Sequence, residues 1–142
     1  MDAVHPSSSL QCVVVTPERT VLEEQADFVA LPMFDGELGV LPGRAPLIGR
    51  LGTGELRLSA GQKTQRFYVD GGFAQVRGNV VTVLTSRAIA AEEIDRARAE
   101  SDLQAARQPA STATEREARQ AAAAKARIQL RIAAKAADSA GS

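Results

Sequence analysis

The chain has 142 residues, 44% of them hydrophobic and 24% charged, with 17 basic residues against 17 acidic ones. That length holds one or two small domains with a real core but leaves no room for a large enzyme. Zero net charge provides no global field to favour nucleic acid or a membrane, and a single cysteine excludes an internal disulfide and fits a reducing compartment.

The chain opens on a polar stretch, residues 1–9, expected to be disordered and to hold no secretory signal. No apolar run approaches the ~20 residues of a transmembrane helix, so any membrane role is expected to come through a partner. Leu10–Thr16, Thr20–Gln25 and Asp27–Met33 then read as strands. Cys12, flanked by valine, reads as a small buried side chain rather than a nucleophile.

From Phe34 to Leu56 the sequence is rich both in apolar residues and in glycine, with Pro42 and Pro46 among them. A phosphate loop would need a helix after the glycines, usually with Gly-Lys-Ser/Thr, which is absent. A disordered linker would lack Leu38, Val40, Leu41, Leu47, Ile48 and Leu51. What remains is a series of very short strands with sharp corners, where glycine supplies positive φ and proline removes a ladder donor.

Thr64–Asp70, Gly72–Arg77 and Val80–Ser86 complete the strands, with Gly78-Asn79 as a tight hairpin turn. Strands at this spacing predict an antiparallel sandwich or barrel.

The composition changes near Arg87. Every aromatic and every glycine but Gly141 lies before it, and alanine and charge dominate after it. This predicts a β domain over residues 10–88, a helical hairpin over 89–138 and a flexible tail over 139–142. The acids Glu92, Glu93 and Asp95 mark the first helix start, with the helix running to about Arg107. Gln108–Thr114 is the link. Thr114 and Glu117 suggest a capping box for a second helix running to about Ala137.

On that second helix Ala123, Ala126, Leu130, Ala133 and Ala137 form one apolar seam, and Ile128 and Ile132 fall on the opposite side. Arg127, Arg131 and Lys135 stack between them. The isoleucine face suits either the β domain or another chain, with the basic stripe then facing acid. An alanine-rich hairpin buries little area, so it is expected to be marginal alone and able to move.

No catalytic set can be built around the single histidine, His5, and no histidine–cysteine cluster suggests a metal. Asp35 and Glu37 read as solvated turn acids. Aromatic residues do not interleave with basic ones, so no nucleic-acid partner is expected.

The stretch DGELGVLPGRAPLIGRLGTGELRL, from Asp35, closely resembles the signature of the ε-subunit family of F-type ATP synthases. VDGGFAQVRGNVVTVLTSRAIAAEEIDRARA, from Val69, resembles the family's next block. The resemblance runs over about residues 10–137. It implies a β-sandwich of about ten short strands followed by an antiparallel two-helix hairpin. It also implies a non-catalytic rotor subunit of a proton-translocating synthase, with γ, the c-ring and the catalytic α/β subunits as partners and no required cofactor. The turn Asp35-Gly36-Glu37-Leu38 is implied to face the ring. The hairpin is implied to lie against the sandwich or to extend into the catalytic head and block hydrolysis, with Arg127, Arg131, Lys135, Ile128 and Ile132 as contacts. Some members bind ATP in the hairpin, which implies Ile94, Asp95, Arg98, Ala99 and Lys125 here as weak regulatory contacts.

Two departures stand out. Gln129 replaces a second arginine of the ATP-binding members, and Arg44 stands where the family usually has histidine. Asp95 and Arg98, three apart, also suit a simple ion pair. The visible start lacks a transit peptide, so the expected location is the cytoplasmic face of a bacterial inner membrane, peripherally attached. A nucleotide-sensing module and a free-standing β-sandwich adaptor are the competing readings.

Overall fold

The computed structural model describes residues 9–140. It divides into two compact units, Met1–Ile89 and Ala90–Ser142. The polar start expected to be disordered lies outside the described residues, apart from Ser9.

The first unit is built from β1 (Leu10–Val15), β2 (Thr20–Ala26), β3 (Phe28–Met33), β4 (Gly36–Val40), β5 (Leu47–Ala60), β6 (Lys63–Arg77), β7 (Val80–Leu84) and β8 (Ala88–Ala90). They form one hydrogen-bonded path, β2-β1-β7-β6-β5-β3-β4, with β8 beside β6. The β1–β7 pair is parallel and the other registered pairs are antiparallel.

The path curls into a sandwich at Asp27. This one residue separates β2, at one end of the path, from β3 near the other. Its amide donates to the Ser59 carbonyl and its carboxylate accepts from the Gly61 amide, each at 2.7 Å. Gln65 donates to Glu24 at 2.7 Å, which ties β2 to β6. Alternation then decides the interior. Cys12, Val14, Val29, Leu31, Leu56, Val69, Val76, Val81 and Val83 are buried. Each buried valine or leucine contributes about 1.5–3 kcal/mol over its exposed state.

Eight strands stand among the described residues where about ten short ones were expected. The difference lies in the glycines. Gly49, Gly52 and Gly54 sit inside β5, and Gly71 and Gly72 sit inside β6, rather than ending strands. β5 and β6 keep one register from Leu47–Val76 to Ala60–Lys63, interrupted only at Gly52 and Gly71, and that ladder outweighs the local cost of glycine. Toward β3 the register slips between Ala30–Arg57 and Met33–Leu51, so the glycines mark a bulge where β5 bends past its neighbour. Arg77 pairs with Val80 across Gly78 (φ 57°) and Asn79 (φ 64°), the two positive φ values a tight hairpin needs.

The second unit has a short 3-10 turn (Ala91–Glu93), α1 (Arg96–Ala105) and α2 (Ala113–Ala140). α1 starts after Asp95, whose carboxylate caps it, so Glu92 and Glu93 stand in the turn before it. It ends two residues short of Arg107. The second helix starts earlier than its expected Thr114–Glu117 box. Thr112 Oγ1 accepts from the Glu115 amide at 3.1 Å, and Glu115 accepts from both Ser111 N–H and Ser111 Oγ at 3.0 Å. The overlapping Thr112-Ala113-Thr114-Glu115 offers the same pattern and adds the Ser111 hydroxyl, so it caps more donors. α2 also runs on to Ala140, into the expected tail. Arg119 donates to the Gln108 and Pro109 carbonyls, which clamps the link between the helices.

Candidate functional site

The first surface comes from strand alternation. On β5 the side chains of Ile48 and Arg50 are exposed while Leu51 is buried; on β6 Phe73, Gln75 and Arg77 are exposed while Ala74 and Val76 are buried; on β7 Val80 and Leu84 are exposed while Val81 and Val83 are buried. The register aligns Arg50, Phe73 and Leu84 in one cross-strand row and Ile48, Gln75 and Thr82 in the next. Ile48 is 74% exposed, Phe73 53% and Leu84 51%. Large apolar groups contiguous on an outward sheet face mark a partner surface. A shallow groove lined by Pro46, Leu47, Ile48, Gln75, Val76 and Arg77 opens beside this face. Arg50 also stands 4.6 Å above the ring of Phe34, itself 68% exposed.

Reading the sequence missed this face. Its signal is the alternation Ile48/Arg50 and Phe73/Gln75/Arg77, which becomes visible only when β5 and β6 are each read as one strand through their glycines.

The second surface is the β3–β4 turn. Met33 pairs with Gly36, leaving Phe34-Asp35 as a two-residue turn, and Gly36 has φ 136°. Asp35, Gly36 and Glu37 are exposed; Leu38 is half-buried and pairs with Leu31. Glu37 is 3.5 Å from Arg57, which meets Glu55 at 3.2 Å, and Glu55 meets Arg66 at 3.0 Å. The turn is therefore braced at Glu37 and free at Asp35. The loop after β4 is also fixed, because the Gly43 amide donates to Asn79 Oδ1 at 2.7 Å. Arg44 projects from it, exposed.

In the hairpin the five nucleotide candidates stand in different surroundings. Asp95 caps α1 by accepting from the Arg98 amide at 3.0 Å. The Arg98 guanidinium turns instead to Asp102 at 3.6 Å, so Asp95 and Arg98 do not make the side-chain pair their spacing suggested. Ala99 is buried, and Lys125 is exposed on α2. A pocket of about 210 Å³ is lined by Ala91, Glu92, Ile94, Arg96, Ala133, Ala136 and Ala137. Of the candidates it includes Ile94 alone.

Arg127, Arg131 and Lys135 are exposed along α2 and make no ion pair among the described residues. Ile128 is half-buried and Ile132 is 2% exposed. The seam residues Ala123, Ala126 and Ala133 are buried, Leu130 is half-buried and Ala137 is exposed. Among the described residues there is no group of three or more metal-binding side chains, and no helix is long and apolar enough to cross a membrane.

A family model described as the β-sandwich domain of the ATP synthase delta/epsilon chain matches residues 9–91. The chain is 56% identical over 124 residues to an ATP synthase epsilon chain of Rhodopirellula baltica, covering 87% of this chain and 97% of the relative. It is 45% identical over 102 residues to one of Carboxydothermus hydrogenoformans, covering 72% and 76%. By fold it resembles a chain in the Euglena gracilis mitochondrial ATP synthase OSCP/F1/c-ring structure, with a TM-score of 0.68, 24% identity, and coverage of 96% and 86%. It also resembles one in the Tetrahymena thermophila mitochondrial central stalk and c-ring, with a TM-score of 0.60, 14% identity, and coverage of 87% and 96%. A β-sandwich matched over its whole length, followed by a two-helix hairpin, makes this chain a member of the ATP synthase delta/epsilon family, a non-catalytic subunit of the synthase.

Proposed function

We propose that the chain couples the c-ring of a proton-translocating F-type synthase to its catalytic head and restrains ATP hydrolysis through the hairpin. The β unit docks on γ through its outward β5–β6–β7 face, and the Asp35–Leu38 turn meets the ring. The observation that carries this reading is the exposed Ile48, Phe73 and Leu84 patch on the outward sheet face. Water-exposed apolar area of that kind favours a permanent partner. Both fold neighbours come from assemblies that include a c-ring. A subunit of this complex is peripheral to the membrane, and the side proposed for it is the cytoplasmic face of a bacterial inner membrane.

The hairpin's part rests on Arg127, Arg131 and Lys135. A single exposed pair contributes about 0.2–1 kcal/mol, so three in a row are needed to hold an acidic loop of the catalytic subunits. Ile132 is buried, so it reaches a partner only once what covers it opens; Ile128, half-buried, is accessible in part. Ile94, Asp95, Arg98, Ala99 and Lys125 remain a proposed ATP contact, in which a phosphate has to displace Asp102 from Arg98.

The test uses the reconstituted synthase. A tagged chain should bring down γ and the catalytic subunits, and Ile48→Asp with Phe73→Asp should abolish this. Changing Arg127, Arg131 and Lys135 to Glu should raise ATP hydrolysis. Co-purification that survives the double aspartate variant overturns the docking role, and unchanged hydrolysis overturns the inhibitory one.

A further inference from the structure

The β5–β7 part of the outward face carries charge of one sign, and the first acid in its rows is the exposed Glu23, two strands beyond Thr82 through Val13. Arg50 sits in its Phe73 row and Arg77 at the end of β6, opposite Val80. Arg44 projects from the adjoining loop, pinned through Gly43 to Asn79 beside the β6–β7 turn. No aspartate or glutamate occurs in residues 38–54 or 71–91, the segments that supply this face. Arg44 and Arg77 are exposed and pair with no acidic side chain among the described residues. The chain's zero net charge hides this local excess.

We infer that the surface received by this face is an apolar strip edged with carboxylates, and that Arg44 and Arg77 speed its capture. The inference rests on the docking role proposed above and specifies the chemistry of the partner, a γ-type subunit. A guanidinium fork matches a carboxylate in a bidentate way, and rim charges act on the association rate more than on the lifetime of the complex. The groove beside Arg77 is apolar on its Pro46, Leu47, Ile48 and Val76 side. It suits an aliphatic or aromatic side chain with an acid next to it. A second copy of this chain is the alternative occupant, and self-association of the free chain at the concentrations used would overturn the inference.

The experiment measures association of the full chain with F1 stripped of this subunit, at low and high salt. Arg44→Gln with Arg77→Gln leaves the Arg50–Phe34 stack intact and removes two exposed groups that make no ion pair among the described residues, so the fold is expected to survive; unfolding by urea checks it. The expected result is an association rate lowered about ten-fold at low salt, a flatter salt dependence and a nearly unchanged dissociation rate. Arg77→Gln alone gives a smaller change in the same direction. Unchanged rates and salt dependence in a folded double variant overturn the inference. Phe73→Ser and Ile48→Ser act as the independent arm and should speed dissociation. If they weaken binding and the arginine variants do not, the docking role stands and the acidic rim falls. If no variant changes binding, the docking role itself falls. Tighter binding to phosphatidylglycerol vesicles than to stripped F1 would show a lipid surface and overturn the inference.

Discussion

A side chain on Gly72 would collide with the backbone of Leu84, since a Cβ there would lie 1.9 Å from the Leu84 carbonyl oxygen. Gly72 also has φ 109°, outside the range of other residues. Both constraints fall inside β6, beside the row that holds Phe73. Gly72→Ala should destabilise the β unit by about 2 kcal/mol or more, because neither contributor is a flexible side chain that can move aside. Urea unfolding measures this. A loss below about 0.5 kcal/mol would mean that β6 and β7 separate easily.

Asp95 distinguishes capping from nucleotide binding. Asp95→Ala removes the acceptor for the Arg98 amide and should cost the hairpin about 1 kcal/mol, whereas Asp95→Asn keeps a good cap and should cost little. Hydrogen exchange at the Arg98 amide reports it directly. Equal effects of both variants on ATP titration, with no change in exchange, would contradict the capping role.

Glu115 makes the start of α2 sensitive to acid. The Ser111 N–H and then the Ser111 hydroxyl hold its carboxyl below its ordinary value of 4.5, with a smaller contribution from Arg119. A lowered value in the folded state means stability that is present above pH 4.5 and lost as pH falls below it. Protection of the Ser111 amide, its exchange rate taken against the intrinsic rate at each pH, should therefore fall on acidification, and Glu115→Gln should remove most of that dependence.

Cys12 responds at the other end of the scale. Burial, and then the charge of Glu24, push its thiol from 9.0 up to about 12. The unfolded chain ionises this thiol first, so its contribution is complete below pH 9.0 and declines as pH rises toward about 12. A thiol reagent at neutral pH should react with Cys12 only as the β unit unfolds. Cys12→Ala should flatten the alkaline decline, and rapid labelling of the folded chain would show that β1 opens on its own.

The clearest elements in the sequence were those whose local rule agreed with their pairing. β1 is a valine-rich run that buries Leu10, Cys12 and Val14 in alternation, and Gly78-Asn79 supplies two positive φ values where two strands must reverse. Boundaries failed where two local rules competed. Thr112–Glu115 and Thr114–Glu117 are the same cap pattern two residues apart, and only the position of Ser111 separates them. Gly71 read as a break between two strands, and the glycines of residues 34–56 as corners, because nothing local reveals the ladder that β5 and β6 keep on both sides of them. The outward β5–β7 face depended on that same register. Its arginines were visible as residues, but strand register was needed to place Arg50 beside Phe73.

β1 lies parallel to β7, with Gln11 beside Val80 and Val15 beside Leu84. The first strand to leave the ribosome therefore waits for nearly the last of its sheet. During synthesis β2 can pair with β1 early, but the seam that closes the sandwich has no second side until residue 84 has emerged. Until then the nascent chain carries an open, hydrogen-bonding edge. A stall or truncation before that point should leave an aggregation-prone fragment, whereas one in the helical unit should leave a closed β unit.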